Sequence, residues 1–251
     1  MENWYIHFLS EFVGSFLLVL IGSSMMLNLF LKGTLAYKEK PSSLHIAFGW
    51  ASAVVVAVVV GLMIGGRSHI NFAITIVYII SGWENEVGPY WMIPVYFAAQ
   101  AAGFTLGYAI VTLLYFSKMK ENAKEGLGKM LIVGYASGTT SKSKVIAGLN
   151  EFISMFIFLI AFVFMIGNYN NILAPGVSFI FLFIIVLAIS FAFSSMTTSG
   201  INPIKDLVGR TFHHALKIEG KGSSNWSFAW IPVTFTMLAG VVVGIGLKFL
   251  G

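Results

Sequence analysis

His69-Ile70-Asn71-Phe72-Ala73 and Gly200-Ile201-Asn202-Pro203-Ile204 interrupt an otherwise apolar chain at corresponding places in its two halves. An Asn that opens a short helix inside a bilayer, repeated once with inverted topology, brings two half-helices together at the midplane. Taken singly, either Asn reads as a local helix cap. As a repeat-related pair they imply a selective pore.

Working outward, stretches of about 20 apolar residues fall at roughly 8–31, 45–65, 91–116, 146–167, 173–195 and 228–249, which predicts six membrane spans. The stretch 72–80 is too short to span, and 203–216 carries Pro203, Lys205, Asp206 and Arg210, too polar to face lipid. Both read as re-entrant half-helices buried by the six spans. Pro203 stands at a first helical position, where its missing N–H is best tolerated. Glu11-Phe12-Val13-Gly14-Ser15-Phe16 lines up with Glu151-Phe152-Ile153-Ser154-Met155-Phe156, which puts one carboxylate near the start of each half. Three spans per half is an odd number, so the second copy enters from the opposite side. The predicted fold is an all-α membrane protein with six transmembrane helices and two re-entrant half-helices. Residues 1–251 form one channel domain, with inverted repeats over about 6–116 and 146–249 and a lysine-rich linker over 117–145.

Composition enforces the membrane reading. Hydrophobic residues make up 57% of the chain, charged residues 10%, and mean hydropathy is +0.86, whereas an ordinary soluble domain has about 25% charged residues. The run from Phe12 to Leu31 is long enough to span rather than to be cleaved as a leader. Cysteine is absent, so there is no disulfide framework, thiolate metal site or cysteine nucleophile. No constellation of nucleophile, base and metal ligands points to an enzyme, and neither cofactor nor metal is predicted. The net charge of +5 is spread over loops and reads as a solvated surface, so nucleic acid is not a predicted partner; membrane lipid is one because the spans are apolar. Gly220-Lys221-Gly222-Ser223 lacks the glycine spacing and the Lys-Ser/Thr order of a phosphate loop.

A neutral solute in a narrow apolar pore needs replacement hydrogen bonds, which the side-chain amides of Asn71 and Asn202 supply at the midplane. The helix starts behind them each carry the equivalent of about +0.5 charge and repel cations. Glu11 and Glu151 are intramembrane carboxylates, which invite a proton-relay reading. The sequence offers no third relay partner, so they read instead as acceptors for backbone N–H groups at the irregular approaches to the half-helices. Asp206 and Arg210 have the i, i+4 spacing of an ion pair that braces the second half-helix and influences how Lys205 points.

At these residues the chain resembles the major intrinsic protein family, the aquaporins and glycerol facilitators. Glu11-Phe12-Val13-Gly14-Ser15 is similar to the family's opening Glu-Phe-x-Gly-Thr, and the two Asn segments resemble its Asn-Pro-Ala boxes. The stretch from Asn202 through Val233 is similar to glycerol facilitators of low-GC Gram-positive bacteria, with Asp206 after the basic residue of the second box. The resemblance implies a midplane formed by Asn71, Phe72, Asn202 and Ile204, with His69 among the supporting residues. It also implies a constriction formed by Trp50, Ser190, Ser199 and Lys205, and a homotetramer in a bacterial cell membrane with one pore per subunit. The departures are Phe72 for the first Pro, Ile204 for the second Ala, Lys205 for the filter Arg, and Ser199 where an aromatic usually supports a polyol.

The implied activity is passive conduction of small neutral solutes: glycerol and related polyols first, with water or hydrogen peroxide following. Two alternatives stay open on account of the altered boxes: a changed selectivity that passes small organic acids, and a non-conducting structural or interaction protein. The family orientation puts both termini in the cytoplasm, with most lysines and Arg210 outside. The positive-inside bias argues the reverse, and the family orientation is retained.

Overall fold

The computed structural model describes residues 3–39, 42–166, 174, 176–194, 196–198 and 200–249. Among them the chain forms the α-helices α1 (Trp4–Phe30), α2 (Leu35–Lys38), α3 (Ser43–Met63), α4 (Phe72–Ser81), α5 (Glu84–Val87), α6 (Ile93–Lys124), α7 (Lys144–Ile166), α8 (Val177–Phe193), α9 (Pro203–Ala215) and α10 (Trp226–Lys248). A short 3₁₀ turn, Gly128–Gly134, lies between α6 and α7. Extended pairing among the described residues is limited to one bridge between Thr139 and Thr197.

α1, α3, the run from α5 through α6, α7 and α10 have the length and apolar composition to cross a bilayer. The sixth predicted span is represented by α8, with 17 apolar-rich residues, and its predicted bounds at 173 and 195 lie outside the described residues. Large apolar side chains such as Leu113, Leu114 and Ile180 are exposed at 77%, 65% and 61%.

Packing repeats between the halves. α1 packs on α3 and α6, as α7 packs on α8 and α10; α4 packs on α10, as α9 packs on α6. α3 and α8 meet across the centre. Each half-helix is therefore held by the last span of the opposite half, an arrangement that lets both start deep in the protein with their N-termini facing.

One boundary departs from its prediction. α6 continues past 116 to Lys124, taking in residues assigned to the linker. A hydropathy window stops at the first charges, but Lys and Glu are good helix formers. Here Lys118 pairs with Glu121 at 2.6 Å, and Asn122 exchanges bonds with the backbone of Lys32 at 2.8 and 3.1 Å.

Candidate functional site

The chain must travel from the surface to the midplane twice without helical hydrogen bonds, and Ile70 and Ile201 bear the consequence. Both adopt left-handed backbone angles, φ +56° and +32°, an outlier conformation for a β-branched residue that costs of order 1–3 kcal/mol. The buried carboxylates hold them there. His69 N–H and Ile70 N–H donate to the two oxygens of Glu11 at 2.5 and 2.7 Å, and Gln100 Nε2 adds a bond of 2.9 Å. In the second half Gly200 N–H and Ile201 N–H donate to the two oxygens of Glu151 at 3.1 and 3.3 Å, with the Thr197 hydroxyl as a third partner.

With their N–H groups anchored, Ile70 and Ile201 turn their carbonyls across the midplane. Asn71 Nδ2 donates to Ile201 O at 2.6 Å and Asn202 Nδ2 donates to Ile70 O at 2.8 Å. The amide oxygens cap the half-helices: Asn71 Oδ1 accepts from Ala73 N–H and Asn202 Oδ1 from Lys205 N–H, both at 3.1 Å. Each amide nitrogen has two hydrogens, so each asparagine keeps one beyond its cross-link. That of Asn71 has the weakly accepting Met155 sulfur 4.0 Å away.

Asn71 and Asn202 border a cavity of ≈ 90 Å³. Toward the α9 end its wall includes Trp50, Ser190, Ser194, Thr198 and Lys205; toward the other it includes His69, Ala57, Val58, Phe158 and Phe162. The His69 ring stacks on Tyr96 with centroids 4.7 Å apart, and its Nδ1 lies 3.0 Å from the Thr75 hydroxyl.

Lys205 Nζ lies 4.3 Å from the Trp50 ring centroid, within cation–π range. Trp50 can lie there because it rests against Gly22 of α1, where a Cβ would come within 2.3 Å of the ring. Asp206 does not take the Lys205 ammonium, because it is occupied elsewhere. Its Oδ2 accepts from Arg210 Nε at 2.5 Å, and its Oδ1 accepts from Ser137 N–H and Oγ–H at 2.7 and 2.5 Å. Arg210 also donates to the carbonyls of Ser137, Ser224 and Asn225 at 2.6, 2.9 and 3.1 Å. It is fully buried, as the expected brace with Asp206 requires. The brace thus ties α9 to the loops on both sides of it, and Tyr108 adds bonds to Tyr135 O at 2.8 Å and Lys205 O at 3.3 Å.

Phe72 and Ile204, both assigned to the pore midplane, do not border the cavity. The Phe72 ring packs edge-on against Phe97, centroids 5.5 Å apart, on the side where Phe97 is 49% exposed. Ile204 is buried in the apolar core. The reason is helical phase: each residue turns about 100° from the last, so positions one and two beyond an inward-facing Asn point away. Three positions on, Ile74 and Lys205 return to the cavity wall. Ser199 lies outside the described residues. Sequence reasoning missed Gly22, Ser194, Thr198 and Tyr108. The nearness of Ser194 and Thr198 to Asn202 carried a faint signal, and Gly22 and Tyr108 carried none.

Residues 2–246 match the major intrinsic protein family over nearly the whole chain. The chain belongs to the major intrinsic protein family. Similar relatives include the "Glycerol uptake facilitator protein" of Bacillus subtilis, 30% identical over 95% of this chain and 82% of that protein, and that of Streptococcus pneumoniae, 31% identical over 96% and 95%. Among solved structures, the aquaglyceroporin from Plasmodium falciparum has a TM-score of 0.80 at 22% identity, covering 99% of this chain and 100% of that one. That likeness establishes the aquaporin-like fold. This major intrinsic protein is accordingly a passive membrane channel for small solutes and not an enzyme.

Proposed function

We propose that the channel conducts glycerol and related small polyols through the lumen between the half-helices, with water and hydrogen peroxide as smaller neutral permeants. The observation that carries this reading is the mixed wall around one cavity. Asn71, Asn202, Ser190 and Lys205 offer polar groups, while Trp50 and Val54 offer apolar surface. A polyol has the matching character, with hydroxyls along one edge and C–H groups along the other. Two similar proteins carry the name glycerol uptake facilitator, which supports the same choice.

Cations are excluded by the two helix N-termini and the Lys205 charge, which make the lumen positive where a cation sheds its water. Glu11 and Glu151 are committed to backbone N–H groups, so they hold the pore open rather than relay protons. Stopped-flow light scattering of proteoliposomes under a glycerol gradient tests the reading. Glycerol should equilibrate faster than in protein-free vesicles, and proton or sodium ionophores should leave the rate unchanged. A rate that collapses with the ion gradient identifies a secondary transporter instead.

We also infer a homotetramer with one lumen per subunit, and the family orientation, with the Lys205 mouth outside. Ser143 is exposed at that mouth and Asn85 at the other, whereas Ser81 is buried and unsuitable as a reporter. With no native cysteine, Ser143→Cys should react with an impermeant thiol reagent in intact cells and Asn85→Cys should not. The opposite pattern reverses the orientation.

A further inference from the structure

We propose that Lys205 and the lysine-rich mouth beside it also make the lumen a path for small monocarboxylic acids, captured at that mouth as anions and passed across the midplane as neutral acids. The proposal rests on the lumen being the conduction path, as argued above, and adds a second substrate class to it.

Two independent observations carry it. The first is the state of the Lys205 ammonium. It borders the lumen, lies against the Trp50 face at 4.3 Å, and donates no hydrogen bond to any described residue. An ammonium has three hydrogens to give, and an aromatic face satisfies the charge without accepting them as an oxygen does. The charged or titratable groups facing it leave it in that state. Asp206 and Arg210 on α9 bind each other, and Glu151 from α7 binds the backbone at Gly200 and Ile201. Tyr108 from α6 donates to carbonyls, and the Tyr135 hydroxyl lies 2.8 Å from that of Thr112. From α3 and α8 come only Trp50 and Ser190. A carboxylate in the lumen supplies the acceptors that no described residue offers.

The second observation is the distribution of charge between the two ends. Among the described residues at the Lys205 end, two lysines lie between α1 and α3, six between residues 118 and 144, and two between α9 and α10; the glutamates there are Glu39, Glu121, Glu125 and Glu219. At the other end the described charges are Arg67 and Lys248 against Glu84 and Glu86. A mouth with a net excess of one sign concentrates and steers oppositely charged solutes. Neutral polyols gain nothing from it, and small anions gain at both stages, first at the mouth and then at Lys205.

A bare carboxylate is costly to carry through the apolar far half of the lumen, lined by Phe158 and Phe162. The carboxylate oxygen therefore takes one proton from the Lys205 ammonium. An N–H bond breaks and an O–H bond forms, leaving a neutral amine and a neutral acid. The acid passes Asn71 and Asn202 as any small hydroxylated solute does, and releases its proton into water on the far side. Lys205 takes a replacement proton from water at its own mouth. One anion and one proton leave that side, and no net charge crosses.

Proteoliposomes with an entrapped pH dye test this, using lactate as the probe and glycerol flux as the internal reference. Lactate should acidify the interior faster than in protein-free vesicles, without an electrical potential developing. Lys205→Arg keeps the cation but cannot release a proton, so the lactate-to-glycerol flux ratio should fall about tenfold. The double substitution Lys129→Glu, Lys142→Glu on the exposed mouth should lower lactate flux about two- to fivefold and leave glycerol flux unchanged. Lactate no faster than in protein-free vesicles, with glycerol conducted, overturns the proposal and leaves the polyol channel standing. An unchanged ratio in Lys205→Arg, or electrogenic lactate flux, overturns the proton step. Loss of both fluxes in the unsubstituted protein overturns the polyol reading and this one together.

Discussion

Asn71 and Asn202 each donate an amide hydrogen to the carbonyl that precedes the other, at 2.6 Å to Ile201 and 2.8 Å to Ile70. Each asparagine therefore caps its own half-helix and anchors the strained turn of its counterpart. The two half-helices form one mechanical unit, closed by a two-fold exchange at the midplane.

That exchange makes the asparagines energetically coupled. Asn71→Ala or Asn202→Ala loses a helix cap worth about 1 kcal/mol and orphans a buried carbonyl worth about 1–3 kcal/mol. Because each substitution already loosens both turns, the double variant should be destabilised by less than the sum of the singles. Thermal unfolding in detergent of the four proteins reads this coupling directly, and strict additivity contradicts it.

Lys205→Val removes the lumen cation while leaving the N-cap bond to Asn202, which uses the backbone N–H of residue 205. Cation leak through the channel, followed as sodium entry into vesicles, should rise while neutral solute still passes. An unchanged leak places cation exclusion wholly with the paired helix ends.

Gly22→Ala tests how the constriction is set. A Cβ there would come within 2.3 Å of the Trp50 ring, so the ring must move and the Lys205 ammonium loses its platform. Selectivity between glycerol and larger polyols should change with little loss of overall stability, because α1 gains helix propensity of about 1 kcal/mol from the replacement of glycine. A solute panel identical to that of the unsubstituted channel would show that Trp50 does not shape passage.

Asp206→Asn breaks a fully buried ion pair with Arg210 and strips the Ser137 loop of its charged acceptor. Removing one partner of such a pair costs about 3–5 kcal/mol. The damage should be local to the Lys205 mouth. Proteolysis between α6 and α7 should accelerate before the spans unfold, and a variant as resistant as the parent contradicts the brace.

The spans were legible because a bilayer imposes length and apolarity that a window can count, and the half-helices because Asn71 and Asn202 each stand at a break in it. The bond from Asp206 to Arg210 follows from spacing alone, and the carboxylate at the start of each half has its acceptor role written in the irregular backbone it faces. Other features were not legible. β-branched residues argue against left-handed angles, so nothing announced that Ile70 and Ile201 would adopt them; Glu11 and Glu151 impose those angles from far along the chain. Phe72 and Ile204 were read by motif position rather than helical phase, which turns them from the cavity. Gly22 matters through a contact with Trp50 on another helix, and no local pattern in the chain encodes that approach.

The central claim is that solute crosses through the cavity shared by Asn71, Asn202 and Lys205. Because the chain has no native cysteine, Ser194→Cys introduces a unique thiol on that cavity wall and Leu113→Cys one on the surface that is 77% exposed on α6. Glycerol flux is measured in each variant before and after mercuric ion, with labelling verified by mass. Flux through the Ser194→Cys channel should be blocked on labelling and restored by thiol, while the Leu113→Cys channel is unaffected. Full labelling at Ser194→Cys with undiminished glycerol flux would contradict the account.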